Sequence, residues 1–165
     1  MHAVESITPN PPPEIDAHLK DPDTLKAVDK AMGPGTSTII ALPTVNIGTI
    51  SGGVKVNMIP ESCNFELDIR LPVGLLADEV MAVIEAVIPR YPDATIELKR
   101  QEAASNPSSF SPVNHPIIEL LKENANGVGG FYPRLIPSMG ATDCKHYRYV
   151  GIPAYVYGCS PYSSE

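Results

Sequence analysis

Cys63-Asn64-Phe65-Glu66-Leu67-Asp68-Ile69-Arg70-Leu71 alternates without a break. Successive side chains of an extended chain point to opposite faces, so Cys63, Phe65, Leu67, Ile69 and Leu71 share one side and Asn64, Glu66, Asp68 and Arg70 the other. The pattern predicts a strand with one buried and one wetted face, as in an antiparallel sheet covered on one side. Upstream, residues 36–50 are rich in Thr, Ile and Val and predict a long strand bent near Pro43. Ser51-Gly52-Gly53 predicts a turn, residues 54–59 continue extended, and Pro60-Glu61 interrupts them.

Helical periodicity flanks these strands. Asp21-Pro22-Asp23-Thr24 opens a helix with Leu25, Val28 and Met32 on one face, and Gly33-Pro34-Gly35 stops it. A second helix starts at Asp78, carries Val80, Val83, Ile84, Val87 and Ile88 on one stripe, and ends at Pro89. Residues 94–99, with Thr95-Ile96-Glu97-Leu98 alternating, predict another strand. Residues 23–100 thus read helix, strand, strand, helix, strand. With one strand ahead of Met1, that is the βαββαβ order of a ferredoxin-like sandwich, an α+β fold.

Residues 1–22 contain Pro11-Pro12-Pro13 and predict a loop or extended arm. Residues 101–112 form a Ser, Asn and Pro linker, the expected boundary between a domain at 23–105 and a second segment at 106–165. In that segment Asn114-His115-Pro116 caps a helix through Ile117, Ile118, Leu120, Leu121 and Ala125, which ends over Gly127-Val128-Gly129-Gly130. Met139-Gly140-Ala141-Thr142-Asp143 is a glycine loop leading into a short helix, with Thr142 as N-cap and Asp143 complementing the helix dipole. Gly151 ends that helix, and Ile152-Pro153-Ala154-Tyr155-Val156-Tyr157 predicts a buried strand. Such a segment is an incomplete α/β layer that must dock on something else.

Composition narrows the function classes. The 165 residues suffice for one domain or two small ones, and 43% hydrophobic with 19% charged residues supports a folded core. The 18 prolines are scattered, which excludes collagen and argues against coiled coils and helical bundles. A net charge of −7, with no Lys/Arg run, argues against nucleic acid as a partner. No apolar run approaches the ~18 residues that span a bilayer, and residues 1–6 lack a signal-peptide pattern, so no membrane partner is expected. Three cysteines, Cys63, Cys144 and Cys159, argue against a disulfide scaffold and fit a reducing cytoplasm.

Few residues carry chemistry on local evidence. The histidines His2, His18, His115 and His146 are far apart, with no His-Glu-x-x-His, Cys-x-x-Cys or His-x-His. Asp143 and His146, with Cys144 beside them, are the nearest approach to a metal cluster, but they read more readily as a capping carboxylate and an exposed imidazole. Cys144 at a helix start has no assignable base, there is no Gly-x-Ser-x-Gly elbow, and the glycines at 127–130 follow a helix rather than precede one. Arg70, on the wetted strand face two residues after Asp68, is placed either to grip a carboxylate bidentately or to form a cross-strand ion pair. Asn57, just before Met58-Ile59-Pro60, reads as a turn residue or a polar contact set in an apolar stretch.

Two ordered motif sets resemble the metallopeptidase family of aminoacylase, carboxypeptidase G and succinyl-diaminopimelate desuccinylase. Thr44-Val45-Asn46-Ile47-Gly48-Thr49-Ile50-Ser51-Gly52-Gly53, Asn57-Met58-Ile59-Pro60 and Asp68-Ile69-Arg70 resemble the centre of its lid, or dimerisation, domain. Gly140-Ala141-Thr142-Asp143 and Gly151-Ile152-Pro153-Ala154-Tyr155-Val156-Tyr157-Gly158 resemble the C-terminal part of its catalytic domain. The resemblance implies an enzyme with two zinc ions in an α/β catalytic domain, a bridging water that attacks an amide or peptide carbonyl, and a lid that also mediates homodimerisation. It implies a small-molecule N-acyl amino acid or peptide as substrate, with Asn57 and Arg70 on the substrate carboxylate and Gly140, Thr142 and Asp143 lining the pocket. His2, followed by Ala3 and later Pro9, matches loosely a lid histidine that reaches the partner subunit's site.

The sequence also departs from that pattern. The family's His-x-Asp segment, bridging Asp and Glu-Glu pair precede the lid and are not in this chain. Its last ligand histidine follows the glycine matched by Gly158, where this chain has Ser160-Pro161-Tyr162-Ser163-Ser164-Glu165. The expectation is a lid at 23–105 and an incomplete catalytic-domain piece at 106–165, without bound metal and inactive alone. The alternative is a non-catalytic ferredoxin-like module for dimerisation or small-molecule binding.

Overall fold

In the computed structural model, which describes residues 2–102 and 105–158, the alternating stretch forms strand β2 (Cys63–Arg70), paired antiparallel with β1 (Thr44–Gly52). The register sets Thr44 opposite Arg70, Asn46 opposite Asp68, Ile47 opposite Leu67 and Ile50 opposite Phe65. It shifts between Ile47 and Thr49, leaving Gly48 as the extra residue of a β-bulge. The bulge keeps Val45, Ile47 and Ile50 on the side of Ile69, Leu67 and Phe65, with Thr44, Asn46, Thr49 and Ser51 on the side of Arg70.

That apolar face is covered at one end only. Val4, Leu75 and Val80 are buried and pack with Ile7, Val45, Ile69, Leu71, Val83 and Ile84. They join α1 (His2–Glu5) and α4 (Ala77–Glu85) to the end of the hairpin that carries Arg70. Farther along, Phe65 is 58% and Ile50 68% exposed, against the fully buried face that the alternation predicts. The amphipathic α3 (Pro22–Met32) packs on α2 (Pro13–Lys20) and on the 3-10 turn Thr36–Thr38 instead of on the sheet. The whole chain exposes 12055 Å², where a compact monomer of this length would expose roughly 8000 Å².

Helix starts follow the sequence signals closely. The Asp21 carboxylate accepts the Thr24 N–H at 2.8 Å and the Thr24 hydroxyl at 2.7 Å, satisfying one of the four unpaired amides of α3. Gly33, at φ 107°, ends that helix in a conformation open to glycine. Glu79 reaches back to accept the Leu76 N–H at 2.7 Å ahead of α4.

The strand expected over 36–50 begins only at Thr44. Local bonds hold residues 36–38 back against α3: Asp29 accepts the Ser37 N–H at 2.8 Å and the Ser37 hydroxyl at 2.7 Å, and the Thr36 hydroxyl donates to the Gly33 carbonyl. Such side-chain bonds compete with a ladder. Residues 54–59 are loop and turn rather than extended strand. Residues 94–99 and 152–157 lie outside any ladder among the described residues, because no neighbouring strand accepts their backbone bonds. The α+β character holds, with a two-stranded antiparallel sheet among the described residues and the helix–strand–strand–helix part of the expected order in place.

Within the segment 1–22, read as a loop or extended arm, residues 2–22 are more ordered than that. They contain α1 and α2, and Pro13 stands at the first position of α2, where its missing N–H is harmless. The stretch between these helices is held by Gly74, whose carbonyl accepts the Asn10 N–H at 2.9 Å. Gly74 has φ 89°, and a Cβ there would land on the Asn10–Pro11 peptide.

Beyond the linker, α5 (Pro116–Gly129) is capped by the His115 ring, which accepts the Ile117 N–H at 3.3 Å. Helix α6 (Cys144–Tyr149) has Asp143 rather than Thr142 at its N-cap, with no side-chain bond there. The 152–157 segment, expected as a buried strand, leaves Ile152 and Val156 exposed. Residues 106–112 are stitched to this part of the chain. Lys145 donates to Asn106, Tyr149 to the Pro107 carbonyl, Arg148 to Ser109 and Tyr155 to the Pro112 carbonyl, while Ser111 exchanges two bonds with Ala154. The readings that fall on Met1, Cys159 and residues 160–165 lie outside the described residues.

Candidate functional site

Arg70 closes β2 at the covered end of the hairpin, on its polar face. Its Nε donates to Asp68 Oδ2 at 2.8 Å, an ion pair along the same strand and face rather than across to β1. Its Nη1 donates to the Met139 carbonyl at 3.3 Å, across 69 residues of chain. The last residue of the first motif set therefore reaches the residue just ahead of the second. Both partners leave Arg70 half exposed, so a carboxylate can reach the fork from solvent.

The loop after Met139 is shaped by its own turn. The Gly140 N–H donates to Ser138 Oγ at 3.2 Å. Two residues on, the Thr142 hydroxyl is buried with no hydrogen-bond partner among the described residues. A buried hydroxyl without a partner is costly, by about 1–3 kcal/mol, and is a ready donor or acceptor for a ligand. Asp143 stands at the start of α6 beside Cys144 and His146.

Other expected residues do not join this place. Asn57 lies in the loop that joins β1 to β2, at the opposite end of the hairpin. The eight residues of β2, at about 3.3 Å each, set it roughly 25 Å from Arg70 within one chain. His2 lies exposed on α1, where its backbone carbonyl accepts the Ser6 hydroxyl at 2.7 Å. Among the described residues no three of His, Cys, Asp and Glu gather as a metal-holding group, Asp143, Cys144 and His146 included. No helix among them is long and apolar enough to cross a membrane.

A second polar corner has no counterpart in the sequence reading. Arg134 Nη2 donates to Asp21 Oδ2 at 2.6 Å and lies 3.4 Å from Asp23. The Thr24 hydroxyl, the Arg134 guanidinium and the Thr24 amide hold the Asp21 carboxyl down to about 2. Next to it, His18 Nε2 is buried without a partner among the described residues, while the ring faces the Leu135 backbone. Asp21 carried only a helix-start signal, and nothing in the spacing linked it to a residue 113 positions away.

Residues 13–95 match a family described as the peptidase dimerisation domain. No curated protein and no solved structure matches the chain.

Proposed function

The chain belongs to the peptidase dimerisation domain family, whose match spans about half of its length, and from that premise we propose that it serves as the carboxylate-gripping lid of a zinc-dependent amide hydrolase. It is part of a peptidase-family protein. In this reading residues 23–105 are the lid, residues 106–165 are a piece of the catalytic domain, and the substrate is an N-acyl amino acid or small peptide. The carrying observation is the Arg70 guanidinium on the Met139 carbonyl, which brings the lid strand to the Gly140–Thr142 loop. Arg70 would bind the substrate carboxylate, and the unpartnered Thr142 hydroxyl a neighbouring polar atom.

Zinc, when bound, would supply a water activated for attack on the amide carbonyl. The described residues do not fit such a centre, since no three potential ligands come together, and the metal ligands are assigned to another part of the protein. Asn57 and His2, remote from Arg70 or exposed, fit better as contacts made toward a second subunit. A homodimer through the lid agrees with the uncovered sheet face at Ile50 and Phe65.

An NMR titration of the chain with N-acetyl amino acids tests the grip. Wild-type protein is expected to shift resonances of Arg70, Gly140 and Thr142 together, and Arg70→Ala to abolish the response. Shifts that survive in Arg70→Ala would remove the basis of the proposal. Robust hydrolysis by the purified chain supplied with zinc would overturn the assignment of the metal ligands elsewhere.

A further inference from the structure

We infer that His18, Asp21 and Arg134 form a pH-sensitive latch that pins residues 133–139 to the corner between α2 and α3 at neutral pH and lets them go when His18 takes up a proton. The strap is tied by an ion pair at Arg134 and faces the histidine at the next residue. Arg134 is held by Asp21 and Asp23, and the Leu135 backbone lies against the His18 ring. The other ring nitrogen, Nε2, is buried and faces no acceptor among the described residues. A neutral imidazole can leave that nitrogen bare. An imidazolium cannot, because it then holds a buried N–H and a positive charge without a partner.

The charges around the ring set the direction. Burial holds His18 below its ordinary value of 6.5, and Arg134 from the strap and Lys122 from α5 push the same way. The Leu135 backbone and Asp21 oppose them without winning. A histidine whose value is lowered in the closed state binds its proton more readily when released. The latch is therefore at full strength above 6.5 and weakens as the pH falls below it. Asp21 does not compete for this role, because its carboxyl stays ionised until about 2.

The strap runs directly into Met139, whose carbonyl receives Arg70. Opening would withdraw that carbonyl and free one edge of the guanidinium. What this means for substrate rests on the function proposed above, but the latch itself does not, and its test reads neither ligand nor catalysis.

NMR on the full chain, from about pH 7.5 to about pH 5.5, decides it. Contacts between the His18 ring and Leu135 should fade as the ring titrates. The amide order parameters of residues 134–136 should fall from a rigid value near 0.85 to below about 0.6. In His18→Gln, which stays neutral, the loss of order should disappear. In Lys122→Met, which removes one repelling charge, it should shrink, and this variant keeps the test open if His18→Gln does not fold. A strap already mobile at neutral pH, one that stays rigid through the titration of His18, or an unchanged response in His18→Gln overturns the inference.

Discussion

Leu75 and Leu76 are neighbours of opposite fate, and exchanging each for alanine asks whether the small core at the covered end of the hairpin holds this chain together. Leu75 is 2% exposed and packs with Val4 and Val80, whereas Leu76 is 68% exposed. Leu75→Ala removes three carbons from that cluster. At about 0.8 kcal/mol per buried CH2, the lost transfer term is about 2.4 kcal/mol. The unfilled space adds to it and brings the total to about 3–4 kcal/mol, within the range found for buried leucines. Domains of this size have about 5–15 kcal/mol to lose, so the variant should unfold at much lower urea concentration. Leu76→Ala should stay within about 0.5 kcal/mol of the parent. Urea titration followed by far-UV circular dichroism measures both, with tyrosine fluorescence as a second probe. Equal midpoints for the two variants would refute the placement of the core, and so would a Leu75→Ala loss below about 1 kcal/mol.

Gly74→Ala should destabilise by more than about 2 kcal/mol. The positive φ alone is worth about 1 kcal/mol, and the new methyl must displace the Asn10–Pro11 backbone; faster proteolysis between α1 and α2 would report it. Asp21→Asn keeps a capping side chain but loses the charge. Because the folded Asp21 carboxyl is lowered to about 2, its stabilisation is complete above its ordinary value of 3.8 and disappears as the pH falls toward 2. Acid unfolding of the parent should show a component in that window which Asp21→Asn lacks. Phe65→Lys combined with Ile50→Lys should lower the sedimentation coefficient from dimer toward monomer, whereas an unchanged value would place the subunit contact off the exposed sheet face.

Local signals proved readable where one residue's chemistry decides the outcome. Asp21 capping α3, Gly33 ending it, and the alternation through β2 all needed only near neighbours. Burial was less legible, because it depends on what arrives from elsewhere. The apolar side of β2 is as regular at Phe65 as at Ile69, yet only Ile69 meets the helices α1 and α4. The Thr and Ile content of 36–42 suits a strand, but Asp29 and the threonine hydroxyls offered the backbone closer partners. The alternation over 94–99 and the apolar run at 152–157 state a preference for extended chain and cannot supply the adjacent strand that a ladder requires. At the candidate site, the place of Arg70 on the polar face of β2 was legible from the alternation. Its contact with Met139 and the Asp21–Arg134–His18 corner are long-range meetings with no local trace.

Gly48 gives the hairpin a supernumerary residue, with a consequence for its steering. Strike it out, and residues 45–52 return to strict odd-even parity, with Val45, Ile47 and Ile50 still sharing a side. Face assignment thus survives the loss of this glycine, but the kink does not. What the extra residue governs is the heading of the distal ribbon, and with it the quarter toward which the Asn57 tip is aimed.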